Sequence, residues 1–398
     1  MTKLPAIERR TALKTIGAGI VGSATLVSTV TANGGRGRGG GPRNVVEVET
    51  KHPDDNGDDN HADHYIFEFS KTEIEAGWTT FILENQSGST HLAPTAQYLP
   101  DTVDILNELI ADTDNGIDTY REAQIAEVAT PFQVAFDDYL AGEDNMLEFF
   151  IKLEDKVADW FMEGGAVPVG GPGLIQGGKT ARTTMYLEPG LYFMECYVLD
   201  DKGVFHTDHM VETFVVKDEG GHSVEPNSHL DLSISTENGI ELGKNWGGPN
   251  HNRRIVEGDY RFGVTFEDNT QYGHGLGHDV NLIRLDGDAH IDDGDPETDV
   301  NIWVNYLDAV LKDGGHPEDP TDFEYGQRGA LTSTSADPGP GTWLGGVQDI
   351  FPPEGESQTA YFEATLKPGD YALVAEIPDP LGHGFVEKFT VRPRGRGK

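Results

Sequence analysis

Pro189-Gly-Leu-Tyr-Phe-Met-Glu-Cys196, followed by His206-Thr-Asp-His-Met210, is the stretch on which the reading of this chain turns. Glu188-Pro189-Gly190 is a turn between two strands of a β-rich region running from Thr180 to Val216. Cys196 is the one cysteine among 398 residues, so no intramolecular disulfide can form. Its thiol is therefore buried and inert, paired between chains, or a metal ligand.

Working outward, the strand pattern begins at His64: Tyr65, Phe67 and Phe69 fall on one face, Gly77 marks a turn, and Trp78 to Glu84 forms the next strand. Between Asp101 and Gly164 the period becomes helical. Met146, Phe149, Phe150, Leu153, Val157, Trp160 and Phe161 share a face, which predicts a helical insertion packed on the strands. Beyond a polar linker from Asp218 to Ser228 the plan recurs. Leu187-Glu-Pro-Gly-Leu-Tyr192 is echoed by Leu366-Lys-Pro-Gly-Asp-Tyr371, and Val211-Glu-Thr-Phe-Val-Val216 by Val386-Glu-Lys-Phe-Thr-Val391. Phe81-Ile-Leu-Glu-Asn85 before His91 is echoed by Val264-Thr-Phe-Glu-Asp268 before His278. Three matches in one order predict an all-β chain of two tandem domains, 61–218 and 229–393, preceded by a flexible acidic linker over 34–60. The linker carries His52, with His61 and His64 just beyond it, all read as solvated residues.

A type 1 copper site needs two neutral imidazoles and a thiolate near one plane, with a weak axial thioether. A β-sandwich supplies such a set from one end: a His after an early strand, then Cys, His and Met around the loop joining the last two strands. His91, Cys196, His206 and Met210 stand in that order. Asn85-Gln-Ser-Gly-Ser-Thr-His91 and the closing Cys, His, Met segment resemble those of the cupredoxins, the plastocyanin and azurin superfamily. The resemblance implies two Greek-key β-sandwiches, with His91 and His206 as equatorial imidazoles, Cys196 as thiolate and Met210 as axial ligand. His209 competes with His206 for the second imidazole position, and the alternative remains that all four are core or satisfied polar residues. In the second domain Ala375 stands for Cys196 and Phe385 for Met210, which excludes a type 1 site there and leaves at most an imidazole site around His278, His274 and His383.

The resemblance implies single-electron transfer with a redox protein docking at the exposed edge of a ligating imidazole. A secreted, non-redox binding or copper-sequestering module is the alternative. An enzyme is not expected: Cys196 lies between Glu195 and Tyr197 rather than beside the histidine that relays electrons to a second copper, and the chain has no His-x-His pair. It also lacks a Gly-x-Ser-x-Gly elbow, a His-Glu-x-x-His helix and a phosphate loop.

Acidic residues number 68 against 29 basic ones, a formal net charge of −39, which argues against nucleic acid as a partner and suits a halophile surface. Lys3, Arg9, Arg10 and Lys14 precede a weakly apolar stretch from Thr15 to Ala32, with small residues at Val30-Thr31-Ala32. Residues 1–33 thus read as a twin-arginine export signal, too weakly apolar for a stable membrane span unless retained as an anchor. Replacing Arg9 and Arg10 by Lys preserves charge and is expected to hold the protein inside the cell, measured by cell fractionation; normal secretion of the double variant would contradict the assignment.

Overall fold

The computed structural model describes residues 44–51, 65–140, 152–153, 155–198, 205–218, 224–246, 255–270, 277–291, 298–304, 339–377 and 380–394. The stretch read as an export signal, together with His52, His61, His64 and His274, lies outside these residues, as do Met146, Phe149 and Phe150 of the helical stripe.

The first sandwich comprises β1 (Asn44–Lys51), β2 (Ile66–Phe69), β3 (Glu73–Glu75), β4 (Gly77–Asn85), β5 (Thr95–Tyr98), β6 (Ala166–Gly170), β7 (Thr180–Leu187), β8 (Gly190–Glu195) and β9 (Val211–Lys217). One layer runs β2-β1-β4-β7 and the other β3-β9-β8-β5-β6. Parallel pairs at β1–β4 and β3–β9 sit among antiparallel neighbours. Between β5 and β6 comes the expected helical insertion, with α1 (Pro100–Ala111), α2 (Tyr120–Gln124), α3 (Thr130–Leu140) and α4 (Asp159–Met162). From the predicted stripe, Leu153, Val157 and Trp160 are buried in the core.

Residues 34–60 were expected to be a flexible linker, and this is corrected by β1, an interior strand of its sheet. Its acidic composition conceals a period of two: Val46, Val48 and Thr50 face the core while Val45 and Glu47 face out. The first domain therefore begins by Asn44, well before His61.

The second sandwich repeats the first strand for strand. It comprises β10 (Leu230–Ser235), β11 (Gly239–Leu242), β12 (Ile255–Val256), β13 (Gly258–Phe266), β14 (Val280–Arg284), β15 (Thr342–Val347), β16 (Gln358–Leu366), β17 (Gly369–Val374) and β18 (Val386–Arg392). Its layers run β11-β10-β13-β16 and β12-β18-β17-β14-β15, with parallel pairs at β10–β13 and β12–β18 in the matching places. Side chains repeat as well. Tyr192 stacks on Phe214 at 5.3 Å and Tyr371 on Phe389 at 5.4 Å, and each phenol donates back to a carbonyl four residues upstream, of Glu188 and of Lys367. The all-β, two-sandwich class read from the sequence is the observed one.

The two domains share a sheet, because β7 pairs antiparallel with β16 through Arg182–Glu363, Thr183–Phe362 and Thr184–Tyr361 and fuses two four-stranded layers into eight strands. Thr183 Oγ1 donates to Gly346 O (2.8 Å) across the joint, and Asn281 Oδ1 accepts from Leu174 N (2.7 Å). With backbone and buried side chains bonded across the boundary, the full chain is expected to unfold in one calorimetric transition. Asn281→Ala, which strands a buried N–H, is expected to cost about 1–3 kcal/mol. Two separate transitions, or an unchanged melting temperature in Asn281→Ala, would contradict this account of the joint.

Candidate metal centre

Asn85, the last residue of β4, shapes the loop that carries His91. Its amide nitrogen donates to Ser89 O (2.7 Å) and Ile175 O (2.9 Å), and its oxygen accepts from Ser87 N, Ser87 Oγ and Thr50 Oγ1. Ser87 Oγ then meets His91 Nε2 at 2.8 Å, while the His91 backbone bonds reciprocally with Ile175. Close approach is needed beside this bridge. Gly171, at φ +132°, lies where a Cβ would fall 2.0 Å from Ala93 O. The Ser87 contact occupies Nε2 of His91 and leaves Nδ1 facing inward.

Cys196 follows β8 directly, and its N–H donates to Met210 O at 3.0 Å, so the β8–β9 ladder continues into the donor loop. His206 opens a single helical turn, His206–Asp208, that hydrogen-bonds its carbonyl to the N–H of Met210 at 2.7 Å. Met210 is fully buried, as are His91 and Cys196, and His206 is 7% exposed.

These elements bring together His91, Cys196 and His206. Nδ1 of the two imidazoles are 3.1 Å apart, and each lies 3.6 Å from Cys196 Sγ. A point in the plane of this triangle sits about 2 Å from all three atoms, the bond length of a first-row metal ion to imidazole nitrogen and close to that for thiolate. Burial lowers the pKa of His206 from its ordinary value to about 3, so its ring is neutral at neutral pH. Nε2 of His206 is buried and makes no hydrogen bond, so Nδ1 carries the polar contacts of that ring. Tyr65 sets its edge against both imidazoles at 4.9 and 5.3 Å.

Among the described residues no other His, Cys, Asp or Glu joins this group. A closed zinc site would need a fourth such ligand, whereas two imidazoles and one thiolate suit copper. The donor set supports a copper site in the first domain.

His206, not His209, is the residue that joins the cluster. The expectation of an exposed imidazole edge is corrected: His91 has no exposed surface and His206 very little, because the insertion packs on the His206–Asp208 turn and Phe205. The supporting contacts of Asn85, Ser87 and Tyr65 were not read from the sequence, where an Asn closing a strand and a Ser in a loop carry no distinguishing pattern.

In the second domain the same positions are filled by packing. Ala375 N–H donates to Phe385 O at 3.1 Å, matching the Cys196–Met210 bond, and the Phe385 ring stacks on His278 at 5.3 Å. His278 is held at Nε2 by Asp268 (3.0 Å) and Thr236 (3.2 Å), and His383 is exposed.

No protein-family model matches the chain, and no curated protein matches it. Among solved structures it is similar to rusticyanin from Thiobacillus ferrooxidans, at 15% identity and a TM-score of 0.21 over 41% of this chain and 76% of that one. It is also similar to a copper-containing nitrite reductase from Thermus scotoductus, at 11% identity and a TM-score of 0.19 over 87% of this chain and 61% of that one. A multicopper oxidase gives 9% identity and a TM-score of 0.18 over 87% of both chains. At these values the likenesses assign no residue and no reaction. They do correct one expectation: the chains similar to this one include enzymes, so the exclusion of an enzyme drawn from the residues beside Cys196 and the missing His-x-His pair does not stand.

Because Phe385 fills the second site, Phe385→Ala is expected to destabilise the protein by about 3–5 kcal/mol in chemical denaturation. A loss under 1 kcal/mol would show that the ring is not a packing element.

Proposed function

We propose that this chain is an exported copper protein whose first sandwich passes single electrons through a type 1 centre. His91 and His206 would hold the ion through Nδ1, Cys196 through its thiolate and Met210 through an axial thioether. The buried triangle of His91, Cys196 and His206 carries this reading. A copper ion held there would supply one-electron redox chemistry, since thiolate favours Cu(I) and imidazole serves both states. The chain's own residues hold the donors dry and in place: Ser87 fixes the ring of His91, burial keeps His206 neutral, and the β8–β9 ladder sets Cys196 against Met210. A rigid, water-excluded pocket limits reorganisation as the electron moves.

The second domain is read as a structural partner. Export through the twin-arginine route, which accepts folded and metal-loaded proteins, fits the pair Arg9-Arg10, and the acidic surface fits work outside a cell in strong salt. A redox protein is the expected partner. No helix among the described residues is long and apolar enough to cross a membrane.

Adding Cu(II) to the full chain is expected to give one copper per chain and an intense visible band from the Cys196 thiolate. Cys196→Ser abolishes the band, and His206→Ala weakens copper binding where His209→Ala does not. Met210→Leu keeps the colour and raises the potential, since an axial thioether tunes the metal more than it holds it. Absence of bound copper would sink the reading. Bound copper that cannot be cycled between oxidation states would favour a sequestering module instead.

A further inference from the structure

The insertion between β5 and β6 reaches the donor loop through a few specific contacts. Arg121, in α2, donates from Nε to Val211 O at 2.7 Å and from Nη2 to His209 O at 2.9 Å. Those two carbonyls flank Met210. Gln133, in α3, accepts the N–H of Phe205 at its Oε1 (2.8 Å), immediately before His206. Phe132 and Phe136 pack edge-on against the Phe205 ring at 5.0 and 4.7 Å. The loop from Phe205 to Val211 is thus gripped at both ends by one helical run.

The helical run is built to make both grips at once. Residues Ile125–Ala129, between α2 and α3, form a π-turn. In an uninterrupted α-helix Arg121 and Gln133 would lie about 120° apart around the axis. A π-turn takes up one extra residue, which returns them to within about 20° of the same face. π-turns are uncommon and cost hydrogen-bond geometry, and here the irregularity lies between the two residues that reach the loop. Arginine also suits the task, because its planar fork fixes direction as well as distance where a lysine would fix neither.

We propose that the helical insertion is a clamp on the donor loop, with Arg121 and Gln133 as positioning residues that set where His206 and Met210 stand relative to Cys196. Its spectroscopic consequence rests on the copper reading above, and its structural consequence does not. An axial thioether is a weak ligand whose distance is set by the protein. Releasing His209 O and Val211 O therefore changes the potential before it changes the amount of metal bound.

The test uses the full chain as Arg121→Met, Arg121→Lys and Gln133→Leu. In the metal-free protein, amide exchange at His209 and Met210 is expected to quicken at least about ten-fold in Arg121→Met, and at Phe205 in Gln133→Leu, while Phe362 in the shared sheet is unchanged. With copper, Arg121→Met is expected still to take one ion per chain but with a displaced visible band and midpoint potential, Arg121→Lys falling between it and wild type. Unchanged exchange overturns the clamp. Faster exchange with band and potential both unmoved reduces Arg121 to a merely structural residue and also overturns it. A wild-type chain that takes up no copper removes the proposed function, and the exchange data then decide the clamp by themselves. Should Arg121→Met fail to fold, Arg121→Lys and Gln133→Leu carry the same readouts.

Discussion

The hydrogen bond from Cys196 N–H to Met210 O is the interaction from which the rest of the centre follows. It extends the β8–β9 pairing one step past the ends of the strands and so fixes the distance across which the closing loop must return. Given that closure, His206 N–H bonds to Val198 O, the His206 carbonyl collects the N–H groups of His209 and Met210, and the imidazole has one place to go. His91 arrives from the opposite side on a loop tied by Asn85 and bridged to Ile175. No one segment could bring three donors to a dry point. The two layers of the sandwich can, because each presents its loops at the same end.

Comparison of the two domains separates what the scaffold supplies from what the donors supply. The second domain keeps the ladder bond, between Ala375 and Phe385, and keeps a buried histidine in His278. It keeps the stacked Tyr371–Phe389 pair as well. With an alanine for the thiol and a phenyl ring for the thioether, the pocket closes on itself through the stack of Phe385 on His278. The same backbone therefore yields a donor cage in one copy and a packed core in the other, and the difference rests on a few side chains.

The clustered side chains were legible in the sequence because their chemistry is rare: a single cysteine, a histidine after an early strand, and a histidine soon after the cysteine. The duplication was legible for a related reason, since turns and strand ends such as Glu188-Pro189-Gly190 recur as Lys367-Pro368-Gly369. What stayed hidden lacked such a mark. Asn44–Lys51 alternates correctly, but its glutamates and the acidic run after it disguised a strand as linker. Arg121 and Gln133 are ordinary helix residues until the fold carries them some 70 to 90 positions along the chain to the donor loop. The covered imidazole edge could not be foreseen either, since it depends on where the insertion lies and not on what it contains.

The shared sheet has a further consequence for behaviour at high concentration in brine. Charge repulsion keeps acidic proteins apart in dilute buffer, yet at 1 M salt it fades beyond about 3 Å, leaving open strand edges free to recruit one another. Two separate four-stranded layers would have exposed β7 and β16, of 8 and 9 residues. Joined, they pair through residues 182–184 and 361–363 at the middle of each strand, and the eight-stranded sheet ends on β2 and β11, of 4 residues each. In strong salt, where charge gives little protection against aggregation, the docking of one domain on the other withholds the middle of β7 and of β16 from any other edge.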